Sequence, residues 1–259
     1  MNSTISSQKT KRLFGIIGFP LSHSFSQKYF SDKFQNEKLT HCEFKVFPTE
    51  NIEELTSIIT SNPSVSGLSV TIPHKQSVIA LLDKMDELAT TIGAVNCVKR
   101  KQLENGKWKL TGYNTDAFGF EGSIKPLLKS HHKRALILGT GGASKAIAFS
   151  LKKLGIEFNF VSRTALSSNC MTYENLNKTI IETHSIIINT TPLGMFPNIN
   201  GCPPIPYENI SSTHLLFDLN YNPEVTLFLQ KGKDKLATIK NGLEMLHLQA
   251  EKSWEIWNS

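Results

Sequence analysis

The chain has 259 residues, of which 39% are hydrophobic, and carries a formal net charge of +6. That length holds two modest domains or one large one, and the apolar share is too high for a disordered chain. Its basic residues are scattered apart from short clusters at Lys9, Lys11 and Arg12 and at Lys99, Arg100 and Lys101, which does not make the basic stripe of a nucleic-acid binder.

No apolar run approaches the roughly 20 residues that span a bilayer, so no membrane segment is expected. Residues 1–11 are polar, lack the apolar stretch of a signal peptide, and read as a flexible extension. Cys42, Cys97, Cys170 and Cys202 stand far apart. With no CxxC pair or disulfide framework, we expect no metal, and free thiols in a reducing cytoplasm.

Short apolar runs alternate with helical patterns through the first half. Leu13–Gly18 reads as a strand, and 24–36 as a helix with Phe25, Tyr29, Phe30 and Phe34 at helical spacing. Phe44–Phe47 reads as a strand, Asn51–Thr60 as a helix and Gly67–Val70 as a strand. Strands over Ala94–Lys99 and Lys107–Tyr113 flank Glu104-Asn105-Gly106, a hairpin signal, and we place that hairpin at the edge of the first sheet. The pattern resets at Arg134. Ala135–Leu138 is continuously apolar, as in a strand buried on both faces, and a helix follows with Ala146, Ile147, Leu151 and Leu154 on one face, ended by Gly155. Strands at Phe158–Val161, Ile186–Ile188, Leu215–Phe217 and Ala237–Ile239 complete a Rossmann-like pattern. A last helix carries Leu243, Leu246, Ala250, Trp254 and Trp257 on one side. Pattern alone leaves open which sheet it covers.

Gly139-Thr140-Gly141-Gly142-Ala143-Ser144 lies directly between a strand and a helix. The first glycine permits a tight turn, the second lets backbone approach a pyrophosphate, and the helix N-terminus offers unpaired N–H groups. Ser144 stands where the usual motif has its third glycine. The following strand ends in Val161-Ser162-Arg163-Thr164. An NAD-binding fold carries an acid there for the ribose hydroxyl. Arg163, flanked by hydroxyls, suits the 2′-phosphate of NADP(H) instead.

Three polar segments follow strand ends of the first domain, where α/β enzymes place ligands: His23-Ser24-Phe25-Ser26, Thr71-Ile72-Pro73-His74-Lys75 and Asn114-Thr115-Asp116. Their hydroxyls and amides suit a polyhydroxylated substrate. A lysine and an aspartate suit acid–base chemistry at a carbonyl. Other roles compete: Ser24 with Gln27 could form a capping box, Asp116 could be a helix N-cap, and His23 and His74 read as structural.

These segments resemble shikimate dehydrogenases. The resemblance rests on GFPLSHSFS at 18–26, LSVTIPHK at 68–75, IGAVNCV at 92–98, YNTDAFGF at 113–120, LGTGGASKA at 138–146, SRT at 162–164, NTTPLGM at 189–195, FDLNYNP at 217–223 and NGLEMLHLQA at 241–250. It implies NADPH-linked reversible reduction of 3-dehydroshikimate to shikimate, a step of aromatic amino-acid biosynthesis. The implied architecture is an N-terminal α/β substrate domain (12–115 with 243–259) and a Rossmann-like NADP-binding domain (116–242), with the cleft between them. It also implies that Ser24 and Ser26 bind the substrate carboxylate, with Tyr221 close to that end. Thr71, Asn96 and Gln249 contact hydroxyls, and Lys75 and Asp116 form the catalytic pair. The implied cofactor residues are Gly139, Thr140, Gly141, Gly142, Ala143, Ser162, Arg163, Thr164, Leu219 and Gly242. The expected partners are small molecules only, in a monomer or homodimer.

Ser162, Leu219, Ala117 and Glu244 depart from the residues common in the family; none of them removes a catalytic group. Two rival readings follow from the same residues. One is a quinate/shikimate dehydrogenase preferring NAD, against which Arg163 speaks. The other is an idle nucleotide sensor, against which the presence of Lys75 and Asp116 speaks.

Overall fold

The computed structural model describes residues 10–21, 25–104, 106–164 and 168–259. The chain divides into two compact units. One comprises the residues up to Thr91, Val95–Tyr113 and Ser253–Ser259; the other comprises Ile92–Ala94 and Asn114–Lys252.

The first unit is built on β1 (Arg12–Gly18), α1 (Phe25–Asn36), β2 (Cys42–Pro48), α2 (Glu54–Ser61), β3 (Val65–Val70), β4 (Lys84–Met85), α3 (Glu87–Ile92), β5 (Cys97–Gln102) and β6 (Trp108–Tyr113). Its sheet has the order β2-β1-β3-β5-β6-β4. β1 is parallel to both neighbours, and β5 is antiparallel to β3 and β6. Every residue of β1 after Arg12 is buried, as a strand covered on both faces requires. Leu13 and Ile17 join Leu55 and Ile59 of α2 on one face. On the other face Phe14, Phe30, Phe34 and Phe44 form an aromatic cluster with Trp254 and Trp257. Such pairs each add about 1 kcal/mol beyond their buried area.

The second unit contains α4 (Asp116–Ile124), β7 (Arg134–Leu138), α5 (Gly142–Lys153), β8 (Glu157–Ser162), β9 (Cys170–Thr172), α6 (Lys178–Thr183), β10 (Ile186–Asn189), β11 (Leu215–Asp218), α7 (Leu227–Lys233) and β12 (Thr238–Lys240). Its sheet, β12-β11-β10-β7-β8-β9, is parallel throughout. Alternation along the strands splits the core in two. Ala135, Ile137, Ile186, Ile188, Leu215 and Phe217 face α4 and α5, while Leu136, Leu138, Ile187 and Leu216 face α6 and α7. β7 and β10 are adjacent, although β8 and β9 intervene in sequence. The strand order therefore reverses between them, at the position where doubly wound sheets bind ligands.

The final helix, α8 (Leu243–Asn258), starts in the second unit and ends in the first. The apolar reading of its face holds at Ala250 and Trp257, with Leu246 and Trp254 half-buried, and is corrected at Leu243. Leu243 is exposed, whereas Met245, Gln249, Ala250, Ser253 and Trp257 are buried. Gln249 tolerates burial because its amide is hydrogen-bonded: Nε2 donates to the Leu246 carbonyl at 2.9 Å.

Several other expectations are also corrected. The hairpin of β5 and β6 is not at the sheet edge, because two-residue β4 pairs outside β6. The strand expected from Ala94 begins at Cys97. Before it, the Val95 and Asn96 N–H groups are taken by the Lys75 and Tyr113 carbonyls. β4, β9, α3 and α6 had no expectation at all, being too short to show a period. The residue Asn105 of the expected hairpin turn lies outside the described residues.

Candidate active site

Within the first unit, Thr71, Lys75 and Asn96 gather at the C-terminal end of β3. The Val70 N–H donates to the Asn96 carbonyl at 2.8 Å, and the Thr71 N–H donates to the Ile17 carbonyl at 3.0 Å. The next turn is held from below by His74, which is 4% exposed. Its Nε2 lies 2.7 Å from the Thr49 carbonyl oxygen, and the Thr49 N–H donates to the Gly18 carbonyl at 2.9 Å. Lys75 follows directly. Its carbonyl accepts the Val95 N–H at 2.7 Å, which ties the lysine's backbone to the residue before Asn96. The side chains of Thr71 and Lys75 are half-buried and Asn96 is buried. Ser26 is buried in the first turn of α1. Ser24 and His23 lie outside the described residues.

Within the second unit, Asp116 is the first residue of α4 and is buried. It is not the cap. Thr115 occupies that position, and the Ala117 N–H is taken by Asn114 Oδ1 at 3.2 Å. Asn114 is itself fixed by donating to the Ala94 carbonyl at 2.9 Å. The Thr115 hydroxyl donates to Gln249 Oε1 at 3.4 Å, so Gln249 sits beside the residue preceding Asp116.

The glycine turn joins β7 to α5 as expected. Gly139 has φ +109°, and a Cβ there would lie 2.7 Å from the Thr190 hydroxyl, so only glycine fits. Ser144 replaces the third glycine without loss: it is buried, and its hydroxyl donates to the Gly141 carbonyl at 2.6 Å, closing the turn. A Cβ on Gly141 would meet nothing within 4 Å. The N-terminus of α5, with Thr140, Gly142 and Ala143 half-buried around it, thus has open space beside Gly141, and helix N-termini of this kind bind phosphate groups. Ser162 closes β8, and Arg163 and Thr164 are exposed beyond it. Burial raises the Tyr173 phenol above its ordinary range, and the positive charge of Arg163 opposes that rise. Leu219 and Gly242 lie past β11 and β12. The Leu219 N–H donates to the Asn189 carbonyl at 2.9 Å, and the Gly242 N–H to the Asn220 carbonyl at 3.0 Å. Tyr221 is half-buried, and burial raises its phenol. The residues fit a dinucleotide that carries an extra phosphate.

A family model described as the shikimate dehydrogenase substrate binding domain matches residues 16–98. A curated shikimate dehydrogenase (NADP(+)) from Methanosphaera stadtmanae is 38% identical, covering 94% of this chain and 90% of that protein. The chain belongs to the shikimate dehydrogenase family. A solved shikimate dehydrogenase from Peptoclostridium difficile is 37% identical, with a TM-score of 0.83 over 95% of this chain and 91% of that one. Another, from Thermus thermophilus in complex with NADP(H) and shikimate, is 28% identical, with a TM-score of 0.81 over 95% and 93% of the two chains. Membership makes this chain an α/β oxidoreductase of the NADP-dependent shikimate dehydrogenase type.

Sequence reasoning missed a buried polar pair in the second unit. Asn189 and Asp218 are fully buried at the ends of two apolar parallel strands, where they read as ordinary loop polarity. The available signal was their matched position, each directly after an apolar run.

Proposed function

We propose that this chain reduces 3-dehydroshikimate reversibly to shikimate with NADPH, using Lys75 and Asp116 for the chemistry. The observation that carries the cofactor half of the reading is the strand–turn–helix at Gly139–Ser144, with Arg163, and no acid, at the end of the next strand. A guanidinium matches a 2′-phosphate in charge and fork geometry. The domain assignment made from the resemblance goes with this reading, as do a cytoplasmic setting for its free thiols and a monomeric or homodimeric state.

When bound, an NADPH held by the Gly139–Ser144 turn and Arg163 would supply the hydride for the ring carbonyl carbon. Lys75 Nζ, as an ammonium, stabilises the negative charge that builds on the carbonyl oxygen and donates its proton there. In the reverse direction the amine takes that proton back. Asp116 is assigned the role of holding the lysine's charge and accepting a hydrogen bond from a neighbouring hydroxyl. Ser24, Ser26 and Tyr221 are assigned to the substrate carboxylate end, and Thr71, Asn96 and Gln249 to its hydroxyls. Thr71 and Asn96 share the end of β3 with Lys75, which suits recognition of hydroxyls near a reacting carbonyl.

The test is an initial-rate comparison, followed by the absorbance of the reduced cofactor, of shikimate and quinate against NADP+ and NAD+. Fast turnover of shikimate with NADP+ is expected. Turnover confined to quinate with NAD+ would overturn the reading.

A further inference from the structure

Asp218 ends β11 in register with Asn189 at the end of β10, and both are fully buried. Neither is among the residues assigned above to substrate or cofactor. The Asp218 carboxylate accepts from Asn189 Nδ2 at 3.0 Å, from the Asn220 N–H at 3.0 Å and from the Thr226 hydroxyl at 2.6 Å. Asn189 Oδ1 accepts in turn from the Thr191 N–H at 3.0 Å and its hydroxyl at 2.6 Å. Asn220 Nδ2 donates to the carbonyls of Thr191 at 3.1 Å and Leu193 at 3.2 Å. One carboxyl thus knits together the loop after β10, the loop after β11 and the start of α7.

A buried carboxylate is costly unless its oxygens are hydrogen-bonded. Here Asn189, Asn220 and Thr226 all present donors, and an ionised aspartate offers acceptors on both oxygens. Burial pushes its pKa up to about 6, with hydrogen bonds from Thr226, Asn220 and Asn189 opposing the rise.

The location gives the network a purpose. Gly139 and Arg163 assign the pyrophosphate and the 2′-phosphate to the β7–β8 half of the sheet. The second mononucleotide of a doubly wound sheet lies across the point where strand order reverses, which is over the ends of β10, β11 and β12. The loops that Asp218 holds carry Leu219, and Gly242 is tied to Asn220.

We propose that Asp218 is a positioning residue for the nicotinamide half of the cofactor site: its carboxylate clamps residues 189–193 and 219–226 into the shelf that orients that ring. The inference rests on the NADP reading above.

The experiment is calorimetric titration of NADP+ and of 2′,5′-ADP, which lacks the nicotinamide half, into the full-length wild type, Asp218→Asn and Thr226→Val. Both variants are expected to weaken NADP+ binding about tenfold while leaving 2′,5′-ADP within about twofold, as loss of one charge-assisted hydrogen bond would do. Equal weakening of both ligands means a merely structural role and overturns the proposal, as does no change in either. If Asp218→Asn does not fold, Thr226→Val, which leaves the carboxylate two donors, gives the same reading. A wild type that binds neither ligand would instead overturn the NADP reading, and the clamp with it.

Discussion

His74 Nε2 lies 2.7 Å from the carbonyl oxygen of Thr49, and this buried bond joins the turn before Lys75 to the end of β2. The bond holds the turn from which the backbone of Lys75 continues. His74→Ala should cost about 1–3 kcal/mol of stability from the lost bond. It should also lower kcat for shikimate about tenfold while leaving the NADP+ dissociation constant unchanged. Thermal melts and steady-state kinetics on one preparation check both halves. Wild-type kcat in the variant would show that the turn holds its shape without this anchor.

Gly67 of β3 packs against the indole of Trp257, and a Cβ there would sit 2.3 Å from the ring. The ring is pinned, stacked on Phe14 at 5.1 Å and donating its N–H to the Val98 carbonyl at 3.1 Å. Gly67→Ala therefore has to displace Trp257, at about 1–3 kcal/mol or more. The melting temperature should fall by several degrees. An unchanged transition would mean that the end of α8 is held by its other contacts, such as Arg12 Nη2 to the Trp257 carbonyl.

Arg163→Gln removes the charge but keeps a polar side chain. The KM for NADP+ should rise about tenfold or more, the worth of a charged hydrogen bond, with the KM for NAD+ little changed. A variant with the parent's preference between the two cofactors would remove Arg163 from the 2′-phosphate site.

Burial holds the pKa of His132 and of His184 below the ordinary histidine value. His132 Nδ1 accepts the Lys129 N–H at 2.9 Å, so the neutral ring is the one that fits. A depressed folded pKa means that the unfolded chain binds more protons. This stability is fully present above about pH 6.5 and is lost as pH falls through the lower folded values. Asp218 has the opposite sign. Its raised pKa contributes stability that is present below the ordinary carboxylate range and lost as pH rises through about 6. Melting temperatures across pH 5 to about 7 should rise less steeply in His132→Asn and more steeply in Asp218→Asn than in the wild type. Parallel profiles in all three would contradict these assignments.

Much of the second unit was legible because its signals are local. Ala135–Leu138 is apolar throughout, Gly139 needs a positive φ, and α5 shows a full amphipathic face. The first unit's main strands were legible for the same reason. What escaped depends on distant partners. β4 exists only because it pairs with β6, and β9 because it pairs with β8. Gln249 and Ser253 are buried on a face that hydropathy assigns to leucines, and Gln249 is accepted there through Thr115 and Leu246. The Asp218–Asn189 network is made of residues that look like loop polarity until the two strands are set side by side. The roles of Lys75, Asp116 and the substrate residues came from family resemblance; no period or spacing identifies a proton donor.

The most direct test of the account is kcat for Lys75→Ala with saturating shikimate and NADP+. If Lys75 Nζ holds and transfers the proton, kcat should fall by about two to four orders of magnitude, with only a modest change in either KM. A variant turning over at close to the wild-type kcat would contradict the assignment of Lys75 as the proton donor.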